Sequence, residues 1–271
     1  MKFSRQDLKF HLVKNIILRL DFQGVMPVEL EKIVVDVKKT LKAEGFNRLN
    51  ENIENSVEIK SKPSQAETPI QGISSLKVFS FINERRGLIL SLSTNNIVIS
   101  VNSSVYVPFK EYSDIFMQVV DLYRTEIDFF TVKRFGFRKI NFCFLKDLTK
   151  LNDYFEERYI NCNNIFDNSD TLICSRSETF ELENGSKFNF RSKVEKGIVD
   201  EGVVYRIDID SDVHTDNPTL IDGILNAASG LEEINSELFK MYSSCLKDRM
   251  ILFLEGRELV PDDLEGVDIN E

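Results

Sequence analysis

Between Leu12 and Phe22 the chain reads LVKNIILRLDF, where Ile16, Leu18, Leu20 and Phe22 alternate with Ile17, Arg19 and Asp21. A period of two predicts a strand. From Pro27 the spacing lengthens. Leu30, Ile33, Val34, Val37 and Leu41 fall on one helical face, proline suits the first turn, and Gly45 stops the helix. Residues 48–60 return to strand character, so the chain opens as β-α-β. Residues 61–72, rich in Ser, Pro, Gln and Gly, read as a loop. Three short strand-like runs follow at 76–83, 88–93 and 97–103. Glu84-Arg85-Arg86-Gly87 and Thr94-Asn95-Asn96 separate them, which predicts an antiparallel meander. After Pro108 a helix to about Phe130 carries Tyr112, Ile115, Phe116, Val119, Tyr123, Ile127 and Phe130 as its buried stripe.

Residues 131–145, TVKRFGFRKINFCFL, form a strong strand signal with a change of phase. Phe135 and Phe137 share one parity, and Ile140, Phe142 and Phe144 the other. The change near Arg138 predicts either a bulge or a strand covered on both faces. A short helix over 151–159 precedes strands at 171–182, 187–194 and 203–210, the first two joined by Glu183-Asn184-Gly185-Ser186. A second long helical region spans 219–254, with Leu231, Ile234, Leu238, Met241, Cys245 and Leu252 as its stripe and Gly230 as a break or kink. Three strands and a long helix thus occur twice, without residue identity between the copies. The expected fold class is α+β: mostly antiparallel sheets packed against two long helices, with an N-terminal β-α-β and a loose βββα duplication. The expected organisation is an N-terminal lobe (1–147), a C-terminal lobe packed on it (148–255) and a mobile acidic tail (256–271).

Composition narrows the function. The 271 residues include 34 basic and 44 acidic side chains, a formal charge of −10, which opposes nucleic-acid backbones. No apolar run reaches membrane-spanning length and no leader pattern opens the chain, so a cytoplasmic, non-membrane protein is expected. The four cysteines form no C-x-x-C pair, which gives zinc or a redox dithiol no support, and only two histidines are present. Phosphate-loop, dinucleotide, nucleophile-elbow and metalloprotease motifs are all missing, so no cofactor is expected.

Two clusters carry candidate chemistry. Arg134, Gly136 and Arg138 share one strand parity, so two guanidinium forks would flank a gap suited to an anion; the competing reading pairs both arginines with internal carboxylates. Asp208, Asp210, Asp212 and His214 alternate along one face and would suit a divalent ion or a general-base pair. The Asp-Asn-Pro-Thr that follows instead favours solvated or helix-capping roles. Lys187, Arg191 and Lys193 oppose Phe188 and Phe190 in parity, the pattern of a half-buried strand.

The run Arg134-Phe135-Gly136-Phe137-Arg138-Lys139-Ile140-Asn141, with the meander before it and the helix start at Tyr106 to Phe109, resembles a bacterial family of about this length with sporadic distribution. That family carries Arg-x-Gly-x-Arg-(aromatic)-(aliphatic)-Asn on a strand after a helix. Lys139 departs from it, standing where an aromatic is usual. Leu231, Ile234, Asn235, Leu238 and Phe239 are similar to the family's C-terminal helix motif. The resemblance implies a defence or toxin-control association and no specific activity. The reading that follows is a non-catalytic interaction or regulatory protein with a protein partner, using the helix face Leu231, Ile234, Leu238 and Met241, with self-association into a homodimer allowed. The alternatives are an anion or nucleotide sensor built on Arg134, Gly136, Arg138 and Asn141, and a metal-dependent hydrolase using Asp208, Asp210 and His214.

Overall fold

The alternating segment near the N-terminus becomes a central strand of one large sheet in a computed structural model that describes residues 3–59, 71–102, 107–162, 173–199 and 202–269. In chain order the elements are β1 (Phe10–His11), β2 (Val13–Gln23), α1 (Pro27–Ala43), β3 (Arg48–Ile59), β4 (Gln71–Asn83), β5 (Leu88–Leu92), β6 (Asn96–Asn102), α2 (Phe109–Glu126), β7 (Thr131–Leu145), α3 (Leu151–Tyr154), β8 (Ile173–Glu181), β9 (Lys187–Val199), β10 (Gly202–Thr215), α4 (Pro218–Asn226), α5 (Gly230–Ser244), α6 (Asp248–Leu254), β11 (Leu264–Glu265) and β12 (Asp268–Ile269). The expected loop over 61–72 lies almost wholly outside the described residues.

The fold is α+β and its strand pairings are antiparallel. The main sheet has the order β3-β4-β5-β6-β2-β7-β10-β9-β8. The β2–β7 pair sits at its centre, and on either side the next strand is the last of a meander. Because the sheet runs unbroken through β2 and β7, the two expected lobes share it. Three strands lie between β2 and β3, so the opening strand–helix–strand is not a crossover between neighbours.

One face of the sheet is dry. Leu18 and Leu20 of β2, Leu88, Leu90 and Leu92 of β5, and Phe135, Phe137 and Cys143 of β7 are fully buried there. Helices cover this face: α1 lies on β4, α2 on β6, and α5 across β10 and β7. Period-two burial on strands and period-3.6 burial on helices follow from which side chains can reach the common core. Between Arg134 and Phe144 of β7, and from Arg206 on in β10, the alternate side chains point the other way and are half-buried.

Three expectations change. The helix expected over 219–254 is divided into α4, α5 and α6. Asn217 caps the first, its side chain accepting from the Thr219 and Leu220 amides at 3.0 and 3.3 Å, and Gly230 opens the second. At Gly230 an added Cβ would lie 2.2 Å from the Ile224 carbonyl oxygen, so α4 and α5 meet backbone to backbone. The strand β7 carries no bulge at Arg138. Its register with β10 is continuous from Phe135 to Leu145, and the shifts against β2 fall at Val13/Asn15 and Asp21/Phe22. Its later half is covered on both faces instead, with the Phe142 ring beneath the Arg206 guanidinium at 4.1 Å. Finally, the acidic tail is tied down. β11 takes up the edge of β7 beyond the end of β2, and β12 pairs with β1. The carboxylates of this segment meet nearby lysines, as Lys150 with Asp263 at 3.2 Å, so its charge does not force it into solvent.

The contact at Gly230 predicts opposite outcomes for one substitution at two glycines seven residues apart. Gly230→Ala should lower unfolding free energy by about 2 kcal/mol or more, because backbone must move. Gly223→Ala, exposed inside α4 with nothing within 4 Å of an added Cβ, should raise it by roughly 0.5–1 kcal/mol. Urea denaturation of both variants checks the pair.

Candidate functional site

The open face of β2, β7, β10 and β9 collects most of the charged residues that the sequence nominates. The antiparallel register sets Gly136 opposite His214, Arg138 opposite Asp212 and Ile140 opposite Asp210, while Arg19 and Ile17 of β2 flank Gly136 and Arg138 from the other side. Cross-strand neighbours therefore alternate in sign, and they satisfy one another. Arg138 forms a two-pronged ion pair with Asp210, Nε to Oδ1 at 2.8 Å and Nη2 to Oδ2 at 2.6 Å. That pairing raises the Arg138 pKa above its ordinary value, against the opposing effect of burial. Arg206 donates twice to Asp208, at 2.9 and 2.7 Å. Asp212 accepts from the Asn189 amide at 3.2 Å and lies 3.5 Å from His214 Nδ1. Arg134 stands 3.8 Å from Asp21 and 4.0 Å from Asp212. Burial lowers the His214 pKa, and the carboxylate of Asp212 only partly offsets it.

This ladder bears on both alternatives. An anion at Arg138 would have to displace a bidentate carboxylate already in place. A methyl group at Gly136 would meet Asp212, Arg134 and His214 atoms no closer than 3.8 Å, so the glycine holds no tight cradle. For the hydrolase, Asp208 and Asp210 each face an arginine rather than a common centre. Among the described residues no group of three or more His, Cys, Asp or Glu side chains is placed to hold a metal ion. The helix face expected as an interface is also turned inward: Leu231, Ile234 and Leu238 are buried in the core and Met241 is half-buried against it. Lys187 and Arg191 point outward while Phe188 and Phe190 are buried, as their parity requires.

The fourth residue of the strand motif behaves differently. Asn141 has odd parity, so it faces the core, as does Lys139. Between the dry side of β7 and the helices lies a cavity of about 100 Å³. Lys139 and Asn141 line it from β7, Asn235, Leu238, Phe239 and Tyr242 from α5, and Phe109 and Tyr112 from α2. Val13, Ile16 and Val101 complete its apolar wall, and Arg5 and Leu8 come from the segment before β1. The strand motif and the C-terminal helix motif, nearly one hundred residues apart, thus meet in one hollow. Phe109, at the helix start, joins them, while Tyr106 lies outside the described residues.

The polar groups of this hollow are few. The Lys139 amine is enclosed and donates to Asn235 Oδ1 at 2.5 Å, with the Phe137 ring 5.4 Å away. Asn235 in turn donates to Glu232 at 3.3 Å, and Glu232 meets Arg5 at 3.1 Å near the surface. Arg5 lies over the Phe239 ring at 5.0 Å. Asn141 is 2% exposed; its Nδ2 donates to the Ile209 carbonyl at 3.1 Å, but its Oδ1 is buried without a hydrogen-bond partner among the described residues. Burial pushes the Lys139 pKa down to about 7, Arg5 adds to the shift, and Glu232 opposes it. His11 is lowered as well, chiefly by burial. Cys143 and Cys245 carry no comparable chemistry: burial pushes their thiols up to about 12. No family model and no curated protein matches the chain.

In the sequence Lys139 belongs to the candidate Arg134/Arg138/Lys139 strand and departs from the family pattern, with no role of its own assigned. Its parity was the available signal: a lysine in phase with Phe135, Phe137 and Cys143 must place its amine in or near the core. Asn235 gives the same signal on α5, between Ile234 and Leu238.

Two stability measurements follow. Arg138→Ala strands Asp210, whose side chain is 15% exposed, and should cost about 1–2 kcal/mol, a buried-pair loss discounted for the 40% exposure of the arginine. Lys139→Met should stabilise the protein in a pH-dependent manner. Below pH 7 both folded and unfolded chains hold the lysine proton, and the folded state bears the full cost of burying it. Between about 7 and the ordinary value of 10.5 the unfolded chain keeps a proton that the folded chain has released, so wild-type stability climbs with pH. The variant should therefore lead by on the order of 3 kcal/mol at pH 6, with the gap closing toward pH 10. Urea titrations across that range read the gap, and a constant difference would refute the assignment.

Proposed function

We propose that this chain is a non-catalytic regulatory protein that binds a small molecule in the cavity between β7, α2 and α5. The observation that carries this reading is the convergence of both motif segments on one hollow that holds an enclosed amine and an unpartnered amide oxygen. Small-molecule sites typically combine apolar walls with a few convergent polar groups, and this cavity has that composition. Its volume suits a ligand no larger than a single aromatic ring, since an apolar cavity of about 150 Å³ accommodates benzene.

Further features support regulation rather than catalysis. On the open face Arg138 and Arg206 are each engaged twice by an aspartate, and among the described residues this ladder sets no nucleophile beside a base. The mirrored strand order about β2 and β7 fits a loose duplication, and the cavity lies where the two copies join. Sites at such junctions couple ligand binding to the relative placement of the halves. The resemblance to a sporadically distributed bacterial family fits a cytoplasmic regulator in a defence or toxin-control setting, with a protein partner reading the liganded state. Leu231, Ile234 and Leu238 then act as the inner wall under α5, and the partner surface lies elsewhere.

Native mass spectrometry of the protein purified from its own host, paired with thermal shift against a library of molecules with about four to six heavy atoms, tests the reading. The expected result is a retained mass or a stabilising compound whose effect is lost in Leu238→Phe, which fills the hollow. If Leu238→Phe folds and leaves every such effect unchanged, the cavity is not the site.

A further inference from the structure

The amine of Lys139 is the least compensated charge in the core. Among the described residues no carboxylate lies within ion-pair distance of it, and the nearest acid, Glu232, is taken up by Arg5 and Asn235. A buried lysine without a counter-ion is costly whenever it is protonated. Two strand positions along, with the backbones roughly 7 Å apart, Asn141 Oδ1 is an acceptor with no donor among the described residues. Val13, Ile16, Val101 and Leu238 supply apolar walls around both.

We infer that the cavity takes a small α-hydroxycarboxylate with an apolar tail, its carboxylate paired with the Lys139 amine and its hydroxyl donating to Asn141 Oδ1. This rests on the cavity being the ligand site. Each part of the molecule answers a separate feature. The carboxylate supplies the missing counter-ion, and the hydroxyl supplies the missing donor. The tail covers wall that water would wet poorly. An α-amino acid fits less well, because its ammonium group would stand close to Lys139. The chain of contacts Arg5–Glu232–Asn235–Lys139 leads from the surface to the amine, and the partly exposed Arg5–Glu232 pair marks the mouth.

Binding is then linked to protonation. The ionisable groups facing Lys139 are Arg5 from the N-terminal segment, His11 from β1, and Glu232 and Tyr242 from α5; α2 contributes Phe109 and Tyr112. Burial holds Tyr242 neutral by pushing its pKa up. His11 is lowered and so is uncharged at and above neutral pH. The change between pH 7 and 9 is therefore that of Lys139. A carboxylate that binds the protonated amine must draw in a proton as pH rises, and its affinity should fall roughly fifty-fold from pH 7 to pH 9.

Calorimetry of the full chain with lactate and with its neutral amide, at both pH values, tests the proposal. The expected result is binding of the acid that weakens with pH, takes up protons in a buffer-dependent manner, and disappears in Lys139→Met while that variant melts cooperatively. Equal, pH-independent binding of acid and amide would overturn the carboxylate assignment and leave the cavity as a ligand site. Binding of benzene or another neutral probe, without either hydroxy compound, would do the same. If neither the hydroxy compounds nor neutral probes bind, both readings fall.

Discussion

The pairing of β2 with β7 is the contact on which the rest of the molecule depends. Each strand closes a meander on its own side, and their shared ladder turns two half-sheets into one. A sheet covered by helices on one side has a dry face and an exposed face, so every residue of β7 is assigned to one or the other by parity. The two faces then meet different demands. The dry face asks for apolar volume, and Phe135, Phe137, Cys143 and Leu145 supply it. The outer face asks that neighbouring charges cancel, and the alternation of Arg134 and Arg138 with Asp210 and Asp212 supplies that.

The ladder explains why charged residues in a suggestive pattern need not form a site. Arginine and aspartate on adjacent antiparallel strands lie close enough to pair directly, and a two-pronged ion pair occupies the donors that would recognise an anion. Its value to the protein is register: a slip by one residue between β7 and β10 would place four arginine and aspartate side chains in the core. The acids of β10 thus hold the strand in place, and the same cancellation leaves them without a common focus.

The dry face carries the exception. Lys139 and Asn141 place polar atoms where helices and sheet should exclude them, and Asn235 answers only part of that demand. Native cores tolerate such groups where packing is incomplete around them, and here the incompleteness is the cavity itself. The segment before β1 contributes as much to the enclosure as the regular elements, since Arg5 and Leu8 line it and Phe3 packs edge-on against Phe239. That segment is anchored from the far end of the chain, through the Lys9 amide to the Leu254 carbonyl at 2.7 Å and through the β1–β12 pair.

Much of this was legible in the sequence. Hydrophobic period located most strands and the faces of α1, α2 and α5, because burial on one side is a local demand repeated every two or 3.6 residues. Parity also showed that Arg134 and Arg138 share a side and that Phe188 and Phe190 lie inside. Composition and missing motifs turned attention away from the familiar catalytic classes. Which strands become neighbours is a different kind of fact. It depends on contacts between residues such as Arg138 and Asp210, seventy-two positions apart, and no local period encodes it. Tertiary structure alone therefore decided that the Arg138 guanidinium fork is filled, that the acidic tail is bound through β11 and β12, and that the stripe of α5 faces inward. It alone also brought Lys139, Asn141 and Asn235 around one hollow, because a cavity is a property of several elements that pack together without quite meeting.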